Sequence, residues 1–324
     1  MRIVIMGTGG VGGYFGARLA HAGADVSFVA RGRQLQALRE GGLRVESTLG
    51  NLHLPQVQAT DDPATLGSAD LVLFGVKLWD TEAAAAQIRP LIGPQTAVVS
   101  LQNSVVKDDI LRGVLGDAAV AGGACYIAAT IAEPGLIRHT GTMQKIAVGE
   151  FDGQPSARLQ RFGQACQAAG IAHEISANIR QTIWEKFVFL VGLSGVTSAA
   201  RVSLGPILAQ PRTRAFLRDV MLEVAAVARA EGVSIAADFV DQRIAFADTL
   251  PATMTSSMHH DLERGNRLEL PWLAGDVVAR GLRLGVPTPC NRAINDLLAV
   301  HAASAPTPAG LHGHAAAPHA RTRA

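Results

Sequence analysis

The chain has 324 residues, of which 48% are hydrophobic and 17% charged, with a formal net charge of +2. That is long enough for two domains with large buried faces, and too evenly charged for a nucleic-acid-binding surface. Cys125, Cys166 and Cys290 stand far apart with no CxxC pair, which reads as incidental thiols in a reducing, cytoplasmic compartment rather than a disulfide frame or metal knuckle.

Taken in order, Arg2-Ile-Val-Ile-Met6 is a short apolar strand with β-branched residues, and it begins too early to follow a signal peptide. Gly7-Thr8-Gly9-Gly10-Val11-Gly12 comes next, and from Val11 the apolar spacing turns helical through Phe15, Leu19 and Ala22. Asp25 to Ala30 supplies a second strand. Strand, glycine turn, helix and strand within one short unit is the setting in which G-x-G-x-x-G marks a dinucleotide site. Gly7 permits the tight turn, Gly9 lets backbone approach the pyrophosphate, and Gly12 allows close helix–strand packing, with the phosphates at the helix N-terminus. The second strand ends without the carboxylate that would accept from a ribose 2′-hydroxyl, and Arg31 and Arg33 follow. A guanidinium pairs with a phosphate, so the expected cofactor is NADPH/NADP.

Further along, Gln34 to Glu40 is a short helix, Leu43 to Glu46 a strand, and Asn51 to Thr60 an extended pair. Asp61-Asp62-Pro63 opens a short helix. Asp70 to Val76 is a buried strand ending at Lys77, Thr81 to Pro90 a helix, and Thr96 to Leu101 a strand followed by Gln102-Asn103. Asp117 to Tyr126 and Gln144 to Val148 add strands, and Ala157 to Ala169 a helix. This alternation predicts a mostly parallel sheet covered on both faces, with ligands beyond the carboxyl ends of its strands. Lys77 and Asn103 fall at such ends.

From Asn178 the pattern is helical: Asn178 to Leu193, Arg214 to Glu231, Ala236 to Thr249, Leu270 to Leu284, and Asn291 to His301 after the break at Gly285–Pro289. The longest uncharged apolar stretch, Phe187 to Ala200, is read as too short and too interrupted by Gly and Ser to span a bilayer. The expected architecture is an α/β Rossmann-type dinucleotide-binding domain over 1–175 and an all-α domain over 176–301. The Ala-, Pro- and His-rich stretch 302–324 is expected to be disordered. Its His312, His314 and His319 lack Cys or carboxylate neighbours and are not read as a metal tract.

Gly7-Thr-Gly-Gly-Val-Gly12, Arg31, Val76-Lys77, Gln102-Asn103, Trp184-Glu-Lys186, Ser256-Ser-Met258, Glu269 and Gly285-Val-Pro-Thr-Pro289 resemble, in order and spacing, the ketopantoate reductase family of NADPH-dependent 2-dehydropantoate 2-reductases. The resemblance spans about residues 1–300 and carries expectations about roles. Lys186 matches the family's catalytic proton donor, and Glu269 the acid that orients that lysine and touches the cofactor. Ser257 matches the serine that binds the substrate carboxylate. Asn103 matches a residue near nicotinamide and substrate, and Lys77 a cofactor-side lysine. The chemistry agrees, since reduction of a ketone needs a hydride donor and an acid for the developing alkoxide.

Where the family carries asparagines four and eight residues beyond the lysine, this chain has Leu190 and Ser194, and Leu204 replaces a further one. Residues so spaced share a helix face, so the wall beside Lys186 becomes less polar while Ser194 remains as a substrate-side hydroxyl. The implied function is NADPH-dependent reduction of a small 2-keto acid, 2-dehydropantoate first among the candidates. A paralogue acting on another branched 2-keto acid or imine is a second reading. A non-catalytic NADP-binding redox sensor is a third, opposed by the retained Lys186 and Glu269. A homodimer is compatible with each; a nucleic-acid or membrane partner is not expected.

Overall fold

The structure, a computed structural model, describes residues 1–303. Its strands are β1 (Arg2–Met6), β2 (Asp25–Val29), β3 (Leu43–Ser47), β4 (Leu52–Leu54), β5 (Gln58–Thr60), β6 (Leu71–Phe74), β7 (Ala97–Ser100), β8 (Val120–Glu133), β9 (Leu136–Gly149) and β10 (Ala172–Ile175). They form one sheet in the order β4-β3-β9-β8-β7-β6-β1-β2-β5, with β10 also on β9. From β5 to β8 every pairing is parallel. β8 and β9 form a long antiparallel hairpin.

The central strands are continuous apolar runs because both faces are covered. Alternate side chains go to opposite faces. Ile3 and Ile5 join Phe15 and Leu19 of α1 (Gly10–His21) and Leu38 of α2 (Gly32–Gly41) in one core. Val4 and Met6 join Ala84 and Ala85 of α3 (Thr81–Gln87) and Leu111 of α4 (Lys107–Leu115) in the other. α5 (Ala157–Ala168) lies on the first face, through Leu159 and Phe162.

After β10 the chain is helical: α6 (Ile179–Ala200), α7 (Leu204–Ala209), α8 (Pro211–Ala230), α9 (Phe239–Asp248), α10 (Ser257–Glu263), α11 (Ala274–Leu284) and α12 (Pro289–Leu298). Asn178 caps α6, its side chain accepting from the Gln181 amide at 3.2 Å. α6 runs through the middle of the helical core, whose members include Ala124 and Ala147 of the sheet.

Several expectations are corrected. α6 is 22 residues long, so by length and hydropathy it could cross a membrane, unlike the shorter stretch read from sequence; 67% of its most apolar window is instead buried inside the protein. Those apolar residues pack against the other helices and the sheet, as in any core helix. β4 and β5 were expected as a pair, yet they stand at opposite edges of the sheet. Only residues 55–57 join them, a reach of roughly 14 Å at most, so the sheet curls round on itself. The stretch between Tyr126 and Gln144 is not loop but the outer half of the β8–β9 hairpin. It lacks clean alternation because many of its residues are exposed, although Pro134-Gly135 marks its turn. The helix expected over Leu270–Leu284 is interrupted: a 3₁₀ turn at Leu270–Trp272 precedes α11, Pro271 being unable to donate an amide hydrogen bond. Helices α4, α7 and α10 and strand β10 were not read from the sequence. The expected disordered stretch and its histidines lie outside the described residues, apart from Ala302 and Ala303.

Candidate active site

The register of the parallel strands aligns their carboxyl ends: Met6 pairs with Val29 and with Phe74, and Phe74 with Ser100. Gly7, Arg31, Lys77 and Asn103 therefore emerge along one rim, the rim at which such sheets bind ligands.

At that rim the glycine motif makes a cradle. Gly7 has φ +99° and its amide donates to Val29 O at 3.2 Å, closing the turn against β2. A Cβ on Gly12 would sit 2.3 Å from Gly7 O, so only glycine lets α1 start this close to β1. At Gly9 a Cβ would meet nothing within 4 Å, leaving open space where a pyrophosphate would approach. Thr8 turns inward, its hydroxyl donating to Val29 O at 3.0 Å, so it braces the cradle rather than facing a ligand. Gly10 and Val11 form the first turn of α1, which has no side-chain cap and no acidic residue. Its amides remain free for an anion. These features fit a dinucleotide. Arg31 is exposed beyond β2, its side chain tied among the described residues only to Gln87 Oε1 at 3.2 Å.

Lys186 reaches this rim from α6. Its Nζ donates to Asn103 Oδ1 at 2.7 Å and lies 5.7 Å from the centre of the Tyr126 ring. The side chain is half-buried. Burial pushes the ammonium below the usual lysine range, the Cys125 thiol opposes that, and the Lys107 charge adds to it. Such a lysine gives up a proton more readily near neutral pH. Glu185, next to it, is engaged elsewhere, accepting from Gln181 Nε2 at 2.8 Å.

Glu269 lies on the helical side of the rim but not on Lys186, which corrects the expected acid–lysine contact. Its Oε1 accepts from the Leu78 amide at 3.0 Å and its Oε2 stands 3.9 Å from Lys77 Nζ. Burial raises its carboxyl above the usual range, with Lys77 and the Leu78 amide opposing. Lys77 is held more closely by Asp261 of α10, at 2.8 Å. The break before α11 explains the placement: Glu269 sits ahead of the 3₁₀ turn, facing the loop after β6 rather than α6. Trp79 and Trp272, with ring centres 6.3 Å apart, and Arg267, 4.7 Å above Trp79, cross the same junction.

Ser257 is exposed, and helix capping falls to Ser256, whose hydroxyl accepts from the His259 amide at 3.1 Å. Ser257 lies one turn before Asp261 and so shares the α10 face that meets Lys77. Leu190 lines a narrow cavity with Asn103 and Lys186, as the helix-face argument requires. Ser194 is 1% exposed and is not in that lining, and Leu204 belongs to the helical core. Neither position forms part of the wall beside Lys186.

Two residues without an expected role belong to the site. Gln102 donates to Val76 O at 2.9 Å and to Thr81 Oγ1 at 2.8 Å, tying the loops after β6 and β7 together beside Asn103. Lys107, at the start of α4, is 1% exposed and lines the cavity with Lys186. In sequence Lys107-Asp-Asp109 resembles an ordinary charged first helical turn, and nothing there signals burial.

A nucleotide cradle on a parallel sheet, faced by a lysine from an all-helical half, defines a nicotinamide-dependent oxidoreductase. Residues 3–153 match the family model described as Ketopantoate reductase PanE/ApbA, and residues 178–302 match its C-terminal counterpart. The chain is 33% identical over 310 residues to the 2-dehydropantoate 2-reductase of Mesorhizobium japonicum, covering 89% of this chain and 94% of that one. It is 36% identical to a PanE/ApbA family ketopantoate reductase from Ralstonia eutropha JMP134, with a TM-score of 0.85 and coverage of 93% and 98%. D-mandelate dehydrogenase, solved with NADH and anilino(oxo)acetate, is similar in fold, at TM-score 0.85, 20% identity and coverage of 93% and 98%. This chain belongs to the ketopantoate reductase family.

Proposed function

We propose that the protein reduces the keto group of a small 2-keto acid with NADPH, its substrate being 2-dehydropantoate or a branched keto acid of similar size. The observation that carries this is the Lys186–Asn103 contact at 2.7 Å on the rim shared with the glycine cradle. Arg31, exposed and only lightly held, supports a 2′-phosphate and hence NADPH. Gly7, Gly9 and Gly12 would hold the pyrophosphate, with the first-turn amides of α1. The bound cofactor supplies the hydride that adds to the keto carbon.

As that carbon is reduced, Lys186 Nζ gives a proton to the carbonyl oxygen, yielding the hydroxy acid, and regains a proton from solvent. Asn103 aims the ammonium. Ser257 binds the substrate carboxylate, and Lys77 with Glu269 closes the cofactor side of the rim. Leu190 beside Lys186 favours an alkyl tail, which supports the paralogue reading alongside 2-dehydropantoate itself.

The test follows NADPH absorbance across a panel of 2-keto acids that includes 2-dehydropantoate, using the wild type and Lys186→Ala. The wild type should turn over at least one branched member, and the variant should be slower by about 10²–10⁴ with little change in NADPH binding. Binding of NADPH without turnover of any keto acid would refute the reading in favour of a binding protein.

A further inference from the structure

We propose that Lys107 is a positioning residue of the reduction site, a fixed buried cation behind Lys186 that keeps the proton donor ready to release its proton. The inference rests on the reading of Lys186 as that donor.

Lys107 is 1% exposed. Burying an ammonium is costly and is tolerated only with a partner. Here the partner is its own neighbour: Nζ donates to Asp108 Oδ2 at 2.7 Å, with both side chains out of solvent. The other carboxylate oxygen, Asp108 Oδ1, is buried without a hydrogen-bond partner. Burial raises the Asp108 carboxyl above the usual range against the pull of Lys107. Lys107 lines the cavity it shares with Lys186 and Asp108 does not, so the counter-charge of the pair lies outside that cavity.

The cation faces the site. Lys107, Asn103, Lys186 and Leu190 line one narrow cavity with room for about one water. The groups facing Lys186 are few. α4 presents Lys107, backed by Asp108. β8 presents Cys125 and Tyr126, and the loop after β7 presents Asn103. On α6 itself Glu185 is tied to Gln181. Among the described residues no carboxylate forms an ion pair with Lys186. Lys107 is thus a fixed charge in the cavity of the donor, and its sign favours loss of the proton.

The sign predicts the readout. Lys186 must be protonated to act, so turnover falls as pH rises through its pKa. Removing the like charge of Lys107 makes Lys186 hold its proton more firmly, and the alkaline limb of kcat should move to higher pH. A like charge within about 10 Å at an effective dielectric near 20 is worth about one pH unit, and partial cancellation by Asp108 leaves a shift of roughly half a unit or more.

The test measures kcat against pH with 2-dehydropantoate and NADPH for the wild type, Lys107→Met, and the double variant Lys107→Gln with Asp108→Asn. The double variant keeps an amide hydrogen bond and leaves no buried charge unpaired, so it serves if the single variant does not fold. Lys186→Ala is measured beside them. An alkaline shift in a folded variant, with NADPH binding unchanged, supports the proposal. An unmoved or acid-shifted limb overturns it while Lys186→Ala remains inactive. If Lys186→Ala keeps near-wild-type turnover, the reading of Lys186 fails, and this inference with it.

Discussion

Replacing Asn103 with Ala tests the proton donor more sharply than removing the lysine, because it leaves the lysine in place. The Asn103 carbonyl accepts from Lys186 Nζ at 2.7 Å in a half-buried setting. A hydrogen bond to a charged group contributes about 1.5–3 kcal/mol, so losing the alignment it provides should lower kcat by roughly 10- to 100-fold. The same bond stabilises the charged form of Lys186. Without it the ammonium releases its proton at lower pH, and the alkaline limb of kcat should move to the acid side. Asn103→Asp should do the opposite, since a carboxylate at this distance favours the ammonium and carries the limb to higher pH. The assay is NADPH oxidation across the pH range at saturating cofactor and 2-keto acid, with NADPH affinity measured separately by nucleotide fluorescence. An Asn103→Ala enzyme with wild-type kcat and an unmoved limb would refute the view that Asn103 holds the donor.

Arg31→Ala should weaken NADPH binding about tenfold or more while hardly affecting NADH, because only the 2′-phosphate loses a charge-assisted bond; equal losses measured for both would remove the basis for choosing NADPH. For the substrate, kcat/KM for 2-dehydropantoate and for its analogue with methyl in place of hydroxymethyl should be comparable, since Leu190 offers the hydroxyl no partner. A preference for 2-dehydropantoate above about 10⁴ is the mark of a dedicated hydrogen-bonding site and would show that another group receives the hydroxyl. Glu150, half-buried after β9, accepts from Arg158 at 2.8 and 2.7 Å and from Ser156 at 2.6 Å. Burial pushes its carboxyl up, but the Arg158 and Ser156 hydrogen bonds outweigh this and leave it below the usual range. Glu150→Gln should cost about 2–3 kcal/mol near neutral pH. A group with a depressed folded-state pKa stabilises above its unfolded pKa, so this difference should shrink as pH falls below about 4. Denaturant midpoints that differ equally at neutral and acid pH would contradict it.

The residues of the candidate site were legible to different degrees. Gly7, Gly9 and Gly12 could be read from sequence because each has a local reason: a positive φ, an open approach and a close helix start. Asn103 and Lys77 could be placed because strand ends are local features and parallel strands end together. Lys186 was reached through resemblance, since nothing local distinguishes it from any lysine on a long helix. The expected Glu269–Lys186 contact was mistaken because the direction of Glu269 depends on the break at Leu270–Trp272. A continuous helix from Leu270 would have concealed that turn.

The sequence alone determined the elements whose causes are local: the buried runs of β1, β6 and β7, the glycine turn, the helix started by Asn178 and the change from alternation to helix. The tertiary structure decided what depends on partners distant in the chain. It put β4 and β5 at opposite edges of a curled sheet, and made the exposed arm after Tyr126 a hairpin, because pairing is set by the neighbouring strand and not by the strand itself. It turned an apolar 22-residue helix into the core of the helical half, because that face is covered by other helices. It also buried Lys107 behind Lys186. In sequence Lys107 is one charge in a polar helical turn; in the fold, packing of α4 against β8 removes its solvent, and charge without solvent is what gives it influence on its neighbour.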